Sequence, residues 1–461
     1  MKSVNDIVAS LKQGEDSVYF LGIGGIGMSA LARYFNSKNI AVSGYDKTET
    51  ALCKQLVSEG VSVHYEDNIE LIDKNAKLVI YTPAVPKDHR ELNYYRDNNY
   101  PVVKRSDVLG AVTAGTLSIC VAGTHGKTTT STMVAHILRH SGYGCNAFLG
   151  GISVNYDTNF WSSDKNVSVA EADEYDRSFL KLSPDVAIIS SMDADHLDIY
   201  GTAENMEHAF IDFAARVKLG GLLISNYGLK RSSDLKAPQQ LSYDVQDDKA
   251  DINACNIRMN NGSYLFDVKI KDRLLKDIEL NMGGMHNIEN ATAAIAVAAH
   301  IGIEEEKIKA AVAAFRGVKR RFEYIVKNEQ MVMIDDYAHH PEELRALITG
   351  AKDLFPGKKC TVVFQPHLFS RTKDHADGFA EVLDIADEVI LLPIYPAREL
   401  PMEGVNSEMI LTRMKNKNAQ VLSKEELMKW VKQKSVELLI TSGAGDIDTL
   451  VEPIKQIIEK K

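Results

Sequence analysis

Two glycine-rich loops constrain what this chain of 461 residues can fold into, because each stands between a short apolar run and a segment of helical period. The first, Gly22-Ile23-Gly24-Gly25-Ile26-Gly27, follows Val18-Tyr19-Phe20-Leu21 and precedes a helix predicted near Met28 to Ser37, with a further strand at Ile40 to Asp46. The second, Gly123-Thr124-His125-Gly126-Lys127-Thr128-Thr129, follows Leu117 to Ala122 and opens a helix predicted to run through Arg139. Strand, glycine turn and helix in that order are the parts of βαβ units, and repeating them builds parallel sheets covered by helices. The last part of the chain continues the alternation, with strands expected at Met331 to Asp335, Thr361 to Gln365, Glu388 to Pro393 and Val436 to Thr441. The fold class is therefore α/β.

The pattern restarts after Lys104-Arg105-Ser106 and again after Lys319-Arg320-Arg321, so boundaries are expected near residues 107 and 322, giving segments 1–107, 108–321 and 322–461. The length suits about three domains at ~150 residues each. A formal net charge of −10 excludes a global basic field of the kind that holds nucleic acid or an anionic membrane. The start of the chain is broken by Asn5, Asp6, Lys12, Glu15 and Asp16, which is not the apolar core of a signal peptide, and no later run is apolar enough to span a bilayer. Cys53, Cys120, Cys145, Cys255 and Cys360 are scattered and odd in number, which argues against a disulfide framework and for a reduced, cytoplasmic protein.

The glycines of the first loop let backbone amides approach a diphosphate, and Asp46 stands at the distance where a ribose-binding acid would be. A dinucleotide, another diphosphate ligand and a tight turn without a ligand all remain compatible with it. The second loop ends in Gly-Lys-Thr like a phosphate-binding loop, although a full Walker pattern would need glycine at Val121. Its amides would cradle phosphates, Lys127 would neutralise them and the Thr128 hydroxyl would meet Mg²⁺; the competing reading is a helix start capped by hydroxyls. Lys127 is expected to face solvent, so that its loss leaves the fold intact.

Glu171-Ala172-Asp173-Glu174 ends one apolar run, and Asp193-Ala194-Asp195-His196-Leu197-Asp198 follows another. A carboxylate and an imidazole at neighbouring strand tips suit a divalent ion against ATP phosphates, where acidic loop residues facing water are the alternative. Asn287 and Asn290 lie three apart, so they share a helix face and offer amides to a purine, or one of them caps the helix. Asp335-Asp336-Tyr337-Ala338-His339-His340-Pro341 and Gln365-Pro366-His367-Leu368-Phe369-Ser370-Arg371-Thr372 read as hydrogen-bonding groups for a carboxylate and a ribose in preference to a metal site.

Together these motifs, with Arg320-Arg321-Phe322 and Gly443-Ala444-Gly445-Asp446, resemble the Mur ligases of peptidoglycan synthesis over essentially the whole chain. The resemblance implies a Rossmann-like domain for a UDP-sugar, a central P-loop-type ATPase with a mostly parallel sheet, and a Rossmann-like C-terminal domain for an amino acid. The motifs are most similar to the members that join L-alanine to UDP-N-acetylmuramate through an acyl phosphate. On that basis Gly24, Gly25, Ile26, Gly27, Met28, Asp46 and Arg105 should meet the UDP-sugar. Gly123 to Thr129, His286, Asn287, Asn290, Arg321 and Asp336 should meet ATP, and Tyr337, His339 and Arg371 should meet alanine. Lys127, Glu171, His196 and Arg371 should carry the catalysis, with Mg²⁺ on Thr128, Glu171 and His196 in two sites and Mn²⁺ as a substitute. No nucleic acid or membrane partner is implied, and the protein is expected to be a monomer or weak homodimer.

Two departures bear on the substrate. Leu368 stands where such ligases often carry an arginine, and Glu174-Tyr175-Asp176 with Ala338 is similar to the related ligase that attaches a whole tripeptide to UDP-N-acetylmuramate. Gln365-Pro366-His367 with Arg371-Thr372 favours alanine, with the tripeptide kept as the alternative. A nicotinamide-dependent oxidoreductase would leave Lys127 and its carboxylates without a role, and a nucleotide-gated binding protein would hold ATP without releasing ADP.

Overall fold

The computed structural model describes residues 3–194, 197–260, 262–397 and 399–461. The chain forms two compact units: one runs to Cys255 and adds Asp267–Asp277 and Glu289–Ala313, and the other takes Asn256–Phe266, Ile278–Ile288 and Ala314–Lys461.

In the first unit a five-stranded sheet has the order Ser62–His64, Ala41–Tyr45, Ser17–Leu21, Leu78–Tyr81, Val102–Lys104. Its pairs are all parallel, with Phe20 opposite both Gly44 and Ile80. Val18, Tyr19, Phe20 and Leu21 are fully buried, as a strand covered on both faces must be, and the helix Ile26–Ser37 buries Met28, Leu31, Ala32 and Phe35.

A ten-stranded sheet contains the second loop. Its strand Leu117–Ala122 lies between Val186–Ile189 and Val167–Glu171, parallel to both. Ile119, Cys120, Val121 and Ala122 are fully buried, and the helix Lys127–His140 follows the loop. Phe179, Phe210 and Phe213 fill the layer beside it, the rings of Phe179 and Phe213 stacked at 5.1 Å.

In the second unit a six-stranded sheet runs Glu323–Lys327, Val332–Asp336, Leu438–Ser442, Cys360–Phe364, Glu388–Leu391, Ala419–Val421. Only the first pair is antiparallel. Asp336, Ser442 and Phe364 therefore end side by side and lead into the three polar segments singled out in the sequence.

The expected strands and helices are present with ends shifted by a residue or two, the usual fraying of element boundaries. The α/β pattern gives no notice of the strands Ile252–Asn260, Ser263–Ile270 and Arg273–Leu280, because consecutive strands joined by short turns carry no intervening helix. Among the described residues no helix is long and apolar enough to cross a membrane, and the five cysteines are free thiols.

Phe213→Ala should destabilise the protein by about 3–5 kcal/mol, since it removes a fully buried ring and leaves a cavity. Denaturant unfolding with an unchanged slope checks this.

Candidate active site

The first loop turns directly off Ser17–Leu21. The amides of Gly22 and Ile23 both donate to the Tyr45 carbonyl, at 2.8 and 3.0 Å, and the Gly24 amide donates to Asp46 Oδ2 at 2.8 Å. A side chain at Gly24 would put Cβ 2.4 Å from Cys53 Sγ and 2.9 Å from that carboxylate, so only glycine fits. Asp46 Oδ1 also accepts from the Thr48 amide, so this acid shapes the loop as well as facing its ligand side. Gly25 caps the helix Ile26–Ser37 with no side-chain hydrogen bond, which leaves the helix's first amides to a ligand.

Gly24, Gly25, Ile26, Gly27, Met28, Asp46 and Arg105 all line one cavity of about 990 Å³, and Gly150, Glu171 and Asp173 line the same cavity. The structure thus brings every residue expected at the UDP-sugar together with the carboxylate expected at the metal. Arg105 opens the helix Arg105–Ala114 and lies 3.9 Å from Asp173.

The phosphate-type loop is braced by its neighbour strand. The Ser191 hydroxyl accepts from the His125 amide at 2.8 Å and pairs with Thr124 Oγ1 at 2.8 Å, while Ser190 Oγ donates to the His125 carbonyl. These two serines were not singled out in the sequence, although two hydroxyls directly after the apolar run ending at Ile189 were the available signal. Gly126 is left-handed at φ 79°, and a Cβ there would lie 2.5 Å from Asn290 Oδ1, which accepts from Thr130 Oγ1 at 3.0 Å. Asn290 thus backs the loop, and Asn287, 2% exposed, donates its amide to the Gly283 carbonyl. His286 is exposed one residue into the helix Met285–His300.

Lys127 does not face solvent. Its side chain is 14% exposed, and Nζ lies 2.8 Å from Oε1 of Glu174, itself 1% exposed, and 2.7 Å from the Gly123 carbonyl. The expectation of a solvent-facing lysine is therefore corrected: the pairing spans 47 residues of sequence, a distance no local pattern reveals.

Glu171 accepts from the Gly150 amide at 3.1 Å and from the Thr128 hydroxyl. Burial pushes its carboxyl above the usual range, against the opposing pull of Lys127 and Thr128. A partly desolvated carboxylate beside a hydroxyl is an oxygen donor set that fits Mg²⁺. His196 lies outside the described residues, and among those described no group of three or more His, Cys, Asp or Glu could hold a metal.

In the second unit Asp336 accepts from the amides of Phe322 (2.6 Å) and Ala338 (2.7 Å), which clamps the turn containing Arg321. The guanidinium of Arg321 lies 5.7 Å from the Tyr337 ring centre, the Tyr337 and His339 rings are 5.2 Å apart, and His339 and His367 are 6.3 Å apart. Arg371 Nη1 is 3.3 Å from His367 Nδ1. Tyr337, His339 and Arg371 are thus gathered by the ends of neighbouring parallel strands, with His367 as a fourth member. Burial holds His339 and His367 below the usual imidazole range, so near neutral pH the cations in this cluster are the arginines.

Two glycine-rich loops, each leading from a parallel strand into a helix, with the Glu171 carboxylate in the cavity of the first and beside the second, define the α/β class of this protein. The chain belongs to the Mur ligase family: models of its catalytic, middle and glutamate ligase domains match residues 17–116, 121–298 and 320–445. It is 47% identical over 449 residues to the UDP-N-acetylmuramate--L-alanine ligase of Flavobacterium johnsoniae, covering 96% of this chain and 98% of that protein. The crystal structure of the UDP-N-acetylmuramate-alanine ligase of Thermotoga maritima superposes with a TM-score of 0.80 at 29% identity, over 96% of this chain and 99% of that one. A murein peptide ligase from Psychrobacter arcticus shares the fold, with a TM-score of 0.65 at 23% identity over 97% and 99% of the two chains.

Lys127→Ala should abolish turnover and also cost about 3–5 kcal/mol of stability, by leaving Glu174 buried without its cation. Adding Glu174→Ala should return the stability but not the turnover, which paired melting and activity assays separate. Glu171→Gln should raise the Mg²⁺ concentration needed for half-maximal activity; an unchanged Mg²⁺ titration would show that this carboxylate is not a ligand.

Proposed function

We propose that this chain joins L-alanine to the lactyl carboxylate of UDP-N-acetylmuramate and splits ATP to ADP and phosphate. The observation that carries this is the near-full-length identity of 47% to ligases so named, with a single cavity that unites the diphosphate-type loop with Glu171. The tripeptide alternative has less support, since the murein peptide ligase shares the fold at only 23% identity.

In the first step a lactyl carboxylate oxygen attacks the γ-phosphorus of ATP and ADP leaves with the bridging oxygen's electron pair. Lys127 and the amides of Gly123 to Thr129 hold the phosphates and offset charge that moves to the leaving group. In the second, the neutral amine of L-alanine attacks the acyl carbon, the nitrogen gives up a proton to water, and the tetrahedral intermediate breaks its C–O bond to phosphate, which leaves with the electron pair and yields the amide. Arg371, with Tyr337 and His339, holds the alanine carboxylate, while Arg321 and Asp336 serve the nucleotide. Mg²⁺ on Thr128 and Glu171 would neutralise phosphate charge, and a second ion, with Mn²⁺ as a substitute, is assigned to His196 with Glu171. Asn290 supports this assignment of the loop by backing Gly126; the Asn287 amide is taken by the Gly283 carbonyl, so adenine is left to His286 on the same helix.

The sheets support a division into residues 1–107, 108–321 and 322–461. A cytoplasmic location rests on the unpaired thiols.

ADP release with Mg-ATP and UDP-N-acetylmuramate tests the substrate. Turnover is expected with L-alanine and not with L-alanyl-γ-D-glutamyl-meso-diaminopimelate. Turnover with the tripeptide alone would replace this reading with the alternative, and silence with both would remove it.

A further inference from the structure

The geometry points to Glu174 as a positioning residue for catalysis, acting through Lys127. An ammonium has three N–H donors. In Lys127 one is directed at the Gly123 carbonyl (2.7 Å) and one at Glu174 Oε1 (2.8 Å). With two directions fixed, the tetrahedral ammonium has its third fixed as well, and we infer that this one is left for a phosphate. A flexible four-carbon side chain would otherwise spread its charge over many rotamers.

Glu174 is itself held. Its carbonyl accepts from the Tyr200 hydroxyl at 2.6 Å and from the Arg177 amide at 3.0 Å, and the residue is 1% exposed. The two residues that make the turn, Asp176 and Arg177, are left-handed at φ 51° and 55°, a conformation that non-glycine residues keep only where their surroundings impose it. Asp173 and Asp176 on the same turn lie 3.9 Å from Arg105 and 3.0 Å from Lys104, where the helix Arg105–Ala114 begins. The strained backbone therefore does local work: it keeps one buried carboxylate beneath the lysine of the phosphate loop. Glu171, three residues earlier, is left to a cation.

This inference rests on the loop binding ATP as proposed above. The test compares kcat and KM for Mg-ATP in Glu174→Ala, Glu174→Gln and Glu174→Asp, with thermal melting as the control for folding. Glu174→Ala should lower kcat at least tenfold with less than a threefold change in KM. Glu174→Gln, whose amide oxygen still accepts at the same reach, should recover most of kcat, and Glu174→Asp, one methylene short, should not. Unchanged kcat in a folded Glu174→Ala protein, or equal losses in the alanine and glutamine variants, would overturn the inference. Where the alanine variant does not fold, the other two decide: kcat retained by glutamine and lost by aspartate supports it, and the reverse defeats it. A wild-type protein that releases no ADP with L-alanine or the tripeptide would instead defeat the proposed function.

Discussion

The strand Leu117–Ala122 is the constraint on which the site depends. It is hydrogen-bonded in parallel to Val167–Glu171 on one side and Val186–Ile189 on the other, so Val121 faces both Glu171 and Ile188. Because all three strands point the same way, their ends discharge together the phosphate-type loop, the Glu171 carboxylate and the Ser190–Ser191 brace. In a parallel sheet buried on both faces a one-residue slip would exchange side chains between the two faces and undo the packing of each. The positions of the loop, of Glu171 and of the two serines are thereby fixed by packing that has no chemistry of its own.

Charge is handled by pairing inside that frame. Burying an ammonium and a carboxylate costs several kcal/mol per ion, which their attraction repays only in good geometry, so a buried pair is poor evidence of stability for its own sake. Lys127 with Glu174 fits a requirement of placement: the buried carboxylate holds the lysine of the proposed phosphate loop at a defined position. The second unit follows the same pattern. Burial pushes Asp335 up to about 7, against the Thr441 hydroxyl and the Arg320 guanidinium 3.3 Å away, and the neighbouring Asp336 ties down the turn that presents Arg321. Buried carboxylates thus hold a basic side chain, or the turn that carries one, in position in both units.

Much of this was legible residue by residue. Glycine loops after apolar runs reveal parallel units because backbone freedom and helix starts are local properties, and Gly24 and Gly126 are glycine for steric reasons that their surroundings bear out. What escaped notice depended on distance in sequence. Neither the 47-residue separation of Lys127 and Glu174 nor the 160-residue separation of Thr130 and Asn290 leaves a periodic trace. The three-strand run from Ile252 to Leu280 escaped for another reason, since a half-exposed hairpin strand lacks the continuous apolar run that marks a buried one.

By itself the amino-acid sequence determined the α/β class, the order of the loops and the residue types available for phosphate, metal and carboxylate, because propensity, turn chemistry and motif spacing are written in neighbouring residues. Only the tertiary structure decided which of those residues share a cavity and which spend their polar groups on the protein itself. Arg105 and Glu171 line one cavity although 65 residues of chain lie between them, while Asn287 closes a turn with the amide that three-residue spacing alone offers to a ligand. The reason is physical: a side chain's partner is set by the register of strands and the packing of helices, which bring together groups that the chain itself keeps far apart.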